Sequence, residues 1–271
     1  MGGVRLHVFD RGSGQAVVLL HGNPGTALHF VPGLSELLDS RFRVLAFDRP
    51  GHGWSDPAPS DPGSPVAQAR LIHEAVSKLG AEQPILVAES WSGSLALSYA
   101  LDFPDEVRAI VGLAATFYPD PALVEPLYRL LVAPGLGQLI RHSVGPMLAR
   151  RRVHARLPIG FAPHAVPPAY AEMAEELFTR PSALLATARD ALRRPQVVED
   201  LGPRYKDVSA PLVLAVGDSD QTVDQRGQAY RLREALPDAE LIELDGTGHL
   251  IAETRPEEAV RAIDRALAVS R

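Results

Sequence analysis

Three residues define the chemistry open to this sequence: Ser90 in ILVAESWSGSLALSYA (85–100), Asp220 in AVGDSD (215–220) and His249 in ELDGTGH (243–249). Each stands just beyond a strand-like run, with Asp220 following Ser90 by 130 residues and His249 following Asp220 by 29. A serine hydroxyl is nearly inert at neutral pH and attacks a carbonyl only where an imidazole takes its proton. A buried carboxylate then fixes the imidazole tautomer and stabilises the imidazolium. A hydroxyl, an imidazole and a carboxylate gathered at one sheet edge would be equipped for acyl transfer.

The elements needed to gather them can be read along the chain. VRLHVF and AVVLLHG read as strands, the second a continuous apolar run of the kind buried in a parallel sheet. HFVPGLSELLDS reads as a short helix and FRVLAFD as the next strand. SPVAQARLIHEAVSKLG has Ser64 as N-cap, Pro65 at the first helical position and Gly80 just past the end, with Val66, Ala69, Ile72, Val76 and Leu79 on one face. The strand PILVAES, a helix through SGSLALSYALDF and the strand RAIVGLAA continue the alternation, which implies right-handed crossovers and a parallel, doubly wound sheet. From 117 to 210 the pattern breaks: half of the 24 prolines fall here among helical stretches such as YAEMAEELF and SALLATARDALRR. Alternation resumes at PLVLAVGD, QAYRLREAL, AELIEL and PEEAVRAIDRALA. A helical insertion between two sheet strands is expected to cover the sheet's carboxyl edge, where ligands bind in open α/β sheets.

Composition limits the partners. The 271 residues are 46% hydrophobic and 22% charged, enough chain to bury about three quarters of its unfolded surface. A net charge of −6 offers no basic field for nucleic acid, and the longest apolar stretches are too short to span a bilayer, so neither nucleic acid nor membrane is an expected partner. The absence of cysteine excludes disulfides, thiolate catalysis and cysteine-ligated metal. MGGVRLHVFDRG has no apolar leader segment, which predicts a cytoplasmic location.

Five motifs occur in order at strand ends: HGNPG (21–25), DRPGHGWS (48–55), AESWSG (88–93), GDSD (217–220) and GTGH (246–249). In these the chain resembles the serine branch of the α/β-hydrolase family over nearly all its length. The resemblance implies a nucleophile at Ser90, a general base at His249 and its orienting partner at Asp220. It also implies an oxyanion hole from the backbone N–H groups of Asn23 and Trp91, since Pro24 cannot donate. The implied architecture is a doubly wound, mostly parallel sheet with a helical cap between the sixth and seventh family strands. Residues 1–116 and 206–271 would form the core and 117–205 the cap, with the family's first edge strand expected to be missing. The elbow is similar to that of proline iminopeptidases and esterase-like members, with departures. Ala88 and Ser92 stand where glycine is favoured, and Glu89 where many members place histidine. Alanine and serine are small enough for the turn to survive, and Glu89 is read as a structural group behind the nucleophile.

These features predict a serine hydrolase that cleaves an ester, thioester or lactone of a small to medium, largely apolar substrate through an acyl-enzyme on Ser90. It would need no cofactor and no metal and would act as a monomer or homodimer. One alternative is an aminopeptidase gripping a substrate amine with Glu172, Glu175 and Glu176. Another is a ligand-binding, lyase or perhydrolase member of the same fold. Asn23 and Trp91 also resemble the halide-binding pair of haloalkane dehalogenases, but those enzymes use an aspartate nucleophile; a serine would be left as a stable ether. Met147, Met173, Phe161 and Phe178 are candidates for an apolar acyl pocket, and Trp54 for its mouth. ARRRVHAR (149–156) reads as a solvated surface, His21 and His52 as holders of loops, and His142, His154 and His164 lack metal-ligand spacing.

Overall fold

The computed structural model describes residues 3–58, 60–121, 124 and 126–269. Seven strands form one sheet: β1 (Val8–Arg11), β2 (Ala16–Leu20), β3 (Arg43–Phe47), β4 (Ile85–Glu89), β5 (Ala109–Leu113), β6 (Leu212–Gly217) and β7 (Glu240–Leu244). Their order across the sheet is β1-β3-β2-β4-β5-β6-β7, with β1 antiparallel to β3 and every other pairing parallel. The central strands are buried along their whole length because helices cover both faces. Alternate residues serve opposite layers. Val18, Leu86, Ile110 and Leu214 pack on α2 (Pro65–Lys78), α3 (Ser92–Asp102) and α9 (Ala229–Ala235), while Val17, Val87, Val111 and Val213 pack on α1 (Leu34–Leu38) and α11 (Pro256–Val269).

The helix expected after Ser64 forms, and the Ser64 side chain accepts the Ala67 N–H. Ala69, Ile72 and Val76 of its apolar face are buried, with Val66 and Leu79 packed at the edge of the same cluster. Two expectations shift. The segment read as one helix at 29–40 is a 3-10 turn, Ala27–His29, followed by α1, because Pro32 and Gly33 interrupt it. The first strand begins at Val8 rather than Val4. Ahead of it, Arg5 and His7 bond to the loop at 48–56, His7 N–H to Ser55 Oγ at 2.9 Å and Asp56 N–H to the Arg5 carbonyl at 2.9 Å. No strand precedes Val8 among the described residues.

Between β5 and β6 the described residues form α4 (Pro126–Val132), α5 (Leu136–His142), α6 (Gly145–Phe161), α7 (Pro168–Phe178) and α8 (Pro181–Leu201). Prolines open the first turn of α4, α6, α7 and α8, where the missing N–H costs nothing, while Pro158 and Pro195 lie inside α6 and α8. No helix among the described residues is long and apolar enough to cross a membrane.

Candidate active site

β4 ends at Glu89 and α3 begins at Ser92, which leaves Ser90 at the apex of a sharp turn with φ of 52°. A left-handed non-glycine residue costs about 1–3 kcal/mol and persists only where its surroundings fix it. Here the Ser90 N–H donates to the Leu113 carbonyl at 3.0 Å, while the Ser90 carbonyl accepts the Gly93 N–H at 3.1 Å and the Thr116 N–H at 2.8 Å. The altered flanks are accommodated in different ways. Ala88 is buried on β4, and the Ser92 hydroxyl donates to the His21 carbonyl at 2.5 Å, tying the start of α3 to the loop after β2. Glycine is required one residue further on, since a Cβ on Gly93 would lie 2.8 Å from Ala115 Cβ and from the Phe117 ring.

The structure brings Ser90, His249 and Asp220 together. His249 Nε2 lies 2.9 Å from Ser90 Oγ, and its Nδ1 lies 2.9 Å from Asp220 Oδ2. Asp220 also accepts the Thr222 and Val223 N–H groups at 2.8 and 3.0 Å and the Gln225 amide at 3.0 Å. Burial alone would raise the Asp220 pKa, but the facing imidazole and these donors pull it below the ordinary carboxylate value. Burial alone would lower that of His249; the Asp220 carboxylate, with Glu89 adding, holds it above the ordinary imidazole value. The loop carrying His249 is anchored from the insertion. The Gly160 carbonyl, at the end of α6, accepts the N–H groups of His249 and Leu250 at 3.2 and 3.3 Å. Gly248 permits this approach, because a Cβ there would collide with the Ala162 carbonyl.

Asn23 and Trp91 flank Ser90 in the cavity wall, and among the described residues neither backbone N–H donates to a protein acceptor. The loop bearing Asn23 is held from beneath by Arg49, fully buried, which donates to the His21 carbonyl at 2.9 Å and the Gly22 carbonyl at 2.8 Å. Its charge is met by Asp190 of α8 at 2.8 Å, which also takes His52 at 3.0 Å and Gln68 at 2.8 Å. His21 accepts the Arg49 N–H at Nε2, and burial beside Arg49 keeps this imidazole neutral. His21 and His52 therefore hold loops, as read from the sequence, but the arginine and aspartate that organise them were not anticipated.

A cavity of about 680 Å³ opens onto Ser90, His249, Asn23 and Trp91. Its walls include Leu127, Leu131, Ile140, Leu184 and Leu250, with Arg152, Arg156, Arg194 and Asp120 among them. Of the four residues expected to form an acyl pocket, Phe178 lines it; Met147 is exposed, Phe161 packs on Tyr170, and Met173 meets the loop after β2 at Thr26. Two arginines of the 149–156 run, Arg152 and Arg156, reach the cavity rather than only bulk solvent. Buried Arg194, held by Ser94 through its Nε, leaves Nη2 without a hydrogen-bond partner. Trp54 stays on the surface beside Arg180. Glu175 pairs with Arg150 and His154, and Glu176 with Arg180, so these carboxylates are engaged outside the cavity. Glu89 is fully buried, and among the described residues His29, Glu89 and Glu253 form the one group placed to share a metal ion.

A family model described as alpha/beta hydrolase fold matches residues 15–256. Haloalkane dehalogenase 2 of Mycobacterium tuberculosis is 28% identical over 270 residues, covering 96% of this chain and 90% of that protein. The 2-(acetamidomethylene)succinate hydrolase of Mesorhizobium japonicum is 29% identical over 271 residues, covering 97% and 91%. Among solved structures, the epoxide hydrolase CorEH shares the fold with a TM-score of 0.81 at 21% identity, covering 99% of this chain and 96% of that one.

Proposed function

Because the chain belongs to the α/β-hydrolase fold family, we propose that it is a serine hydrolase acting on an ester, thioester or lactone through an acyl-enzyme on Ser90. The observation that carries this reading is the row Ser90, His249, Asp220, with Ser90 Oγ to His249 Nε2 and His249 Nδ1 to Asp220 Oδ2 both 2.9 Å. Ser90 Oγ attacks the substrate carbonyl carbon while His249 takes its proton. The negative charge that forms on the carbonyl oxygen is met by the Asn23 and Trp91 N–H groups, about 3 kcal/mol for each donor. His249 then protonates the leaving alcohol or thiol, and in the second half-reaction activates water to release the acid. Segment 117–205 acts as the lid over a core made by 1–116 and 206–271.

The names of the relatives do not transfer directly. Displacing halide or opening an epoxide by a covalent route needs a carboxylate nucleophile, whose alkyl ester water can cleave; an alkyl ether on Ser90 would be a dead end. The aliphatic walls of the cavity support a small to medium, largely apolar acyl or alcohol group. The engagement of Glu175 and Glu176 in surface pairs weighs against gripping a substrate amine with α7.

A fluorophosphonate probe followed by peptide mapping tests the proposal. One adduct per chain on Ser90, absent in Ser90→Ala and in His249→Ala, is the expected result. Folded protein that takes no label, or Ser90→Ala that turns over aryl esters like the wild type, would overturn it.

A further inference from the structure

Three side chains from separate segments converge behind the elbow: His29 from the turn after β2, Glu89 at the end of β4, and Glu253 from α10 (Ile251–Thr254). Their side chains are 3%, 0% and 6% exposed. His29 Nδ1 lies 3.3 Å from Glu253 Oε1 and 3.8 Å from Glu89 Oε2, and each residue offers one ligand atom within 4.8 Å of those of the other two. None of the three atoms has a hydrogen-bond partner. The other ends of two of these groups are held. Glu89 Oε1 accepts the Ala252 N–H at 3.3 Å, and His29 Nε2 lies 2.9 Å from the Tyr170 hydroxyl.

We propose that these three residues bind one divalent cation of the zinc class. Two ligand atoms about 2.1 Å from a shared ion, and separated by 3.3 or 3.8 Å, subtend angles of about 104° or about 130° at it, the first close to the tetrahedral arrangement zinc takes and the second wider, so the Glu89 carboxylate would draw in on binding. Two carboxyls brought together away from water repel as anions, and burial beside Glu89 holds the Glu253 pKa well above the ordinary carboxylate value; a divalent ion would let both ionise. His29 and Glu89 are each oriented by a hydrogen bond at the far atom, as first ligands of metal sites are elsewhere. The imidazole nitrogen and the small ligand number disfavour calcium, which takes six to eight oxygens. His29 and Glu89 both border the cavity wall while their facing atoms are sealed from solvent, so a fourth ligand would be an enclosed water rather than open solvent. The ion would join the segments that carry Asn23, Ser90 and His249 while taking no part in acyl transfer, so the site stands apart from the serine-hydrolase reading.

Chelator-treated protein is titrated with zinc against a chromogenic competitor, with bound metal counted by mass spectrometry and the melting temperature followed in parallel. The expected result is one zinc per chain, a raised melting temperature, and no response to magnesium. His29→Ala and Glu253→Gln each weaken binding at least 100-fold. Tyr170→Phe, which keeps the packing and loses the hydroxyl, weakens it about 10- to 100-fold. Ser90→Ala binds as the wild type does, which separates this site from the fate of the nucleophile. No saturable uptake by the wild type would overturn the proposal. So would uptake unchanged in Tyr170→Phe and in whichever of His29→Ala and Glu253→Gln folds, since it would point to surface histidines. An infrared carbonyl band from a protonated carboxyl, lost in Glu253→Gln and unaffected by zinc, would assign the cluster to a shared proton instead.

Discussion

Replacing Asp190 by Asn is expected to be among the most damaging conservative changes in the protein. The Asp190 and Arg49 side chains are 1% and 0% exposed, and the carboxylate receives Arg49, His52 and Gln68. The amide keeps the shape but removes the charge opposite a buried guanidinium and turns one acceptor into a donor. Breaking a buried pair in this way costs about 3–5 kcal/mol, or about 6–20 °C in Tm for a chain of this size. Burial would raise the Asp190 pKa, yet Arg49 and His52 hold it below the ordinary carboxylate value. Its contribution is therefore complete above the unfolded-state pKa and is lost as pH falls through the lower folded value, so the penalty should shrink in acid. Arg49 also fixes the carbonyls of His21 and Gly22 beside Asn23, so kcat/KM on any ester the wild type accepts should fall about ten- to a hundredfold. Urea unfolding of the two proteins at neutral and acid pH measures the difference. A loss below about 1 kcal/mol at neutral pH would refute the argument, because it would mean that Arg49 does not need its partner.

Other outcomes follow from the same geometry. In the proposed mechanism His249 must be neutral to accept a proton, and it is held above the ordinary imidazole value, so kcat/KM should rise with pH to a midpoint above that value. In Asp220→Asn the midpoint should move to lower pH while the plateau falls steeply, as a pH–rate profile would show. Gly93→Ala puts a methyl 2.8 Å from Ala115 and Phe117 and should cost about 1–3 kcal/mol in denaturant unfolding. Ser92→Ala removes one buried donor while the His21 carbonyl keeps its bond from Arg49, so the expected loss is only about 1 kcal/mol.

The alternation of strands and helices was legible because apolar runs such as AVVLLHG and PILVAES can be satisfied only inside a covered sheet. Ser90, Asp220 and His249 were legible for a related reason: strand-end placement brings them to one edge whatever the loops do. The register of β1 was hidden, since whether Arg5 and His7 join the ladder depends on Ser55 and Asp56 competing for their backbone groups. Glu89 was visible as a departure, but its neighbours His29 and Glu253 were not. They are linked by no sequence period, and only the adjacency of β2 and β4 brings His29 and Glu89 together. The walls of the cavity were least legible. The polar residues of α6 follow no clear single face, so Arg152 and Arg156 read as surface and Met147 as pocket, the reverse of what packing selects. Arg49 and Asp190 carry no local signature, being 141 residues apart.

The anchoring of the His249 loop on Gly160 bears on how such a protein can diversify. An insertion that merely roofed the sheet could be exchanged between relatives like an interchangeable part, with specificity changing and chemistry untouched. Here the end of α6 supplies the acceptor for the amides of His249 and Leu250, and the backbone at 160–162 sits where only a glycine at 248 fits. A chimera carrying a foreign insertion must therefore bring its own acceptor at that point. Without one, the His249 imidazole is expected to lose its aim while the sheet and the Ser90 turn remain intact.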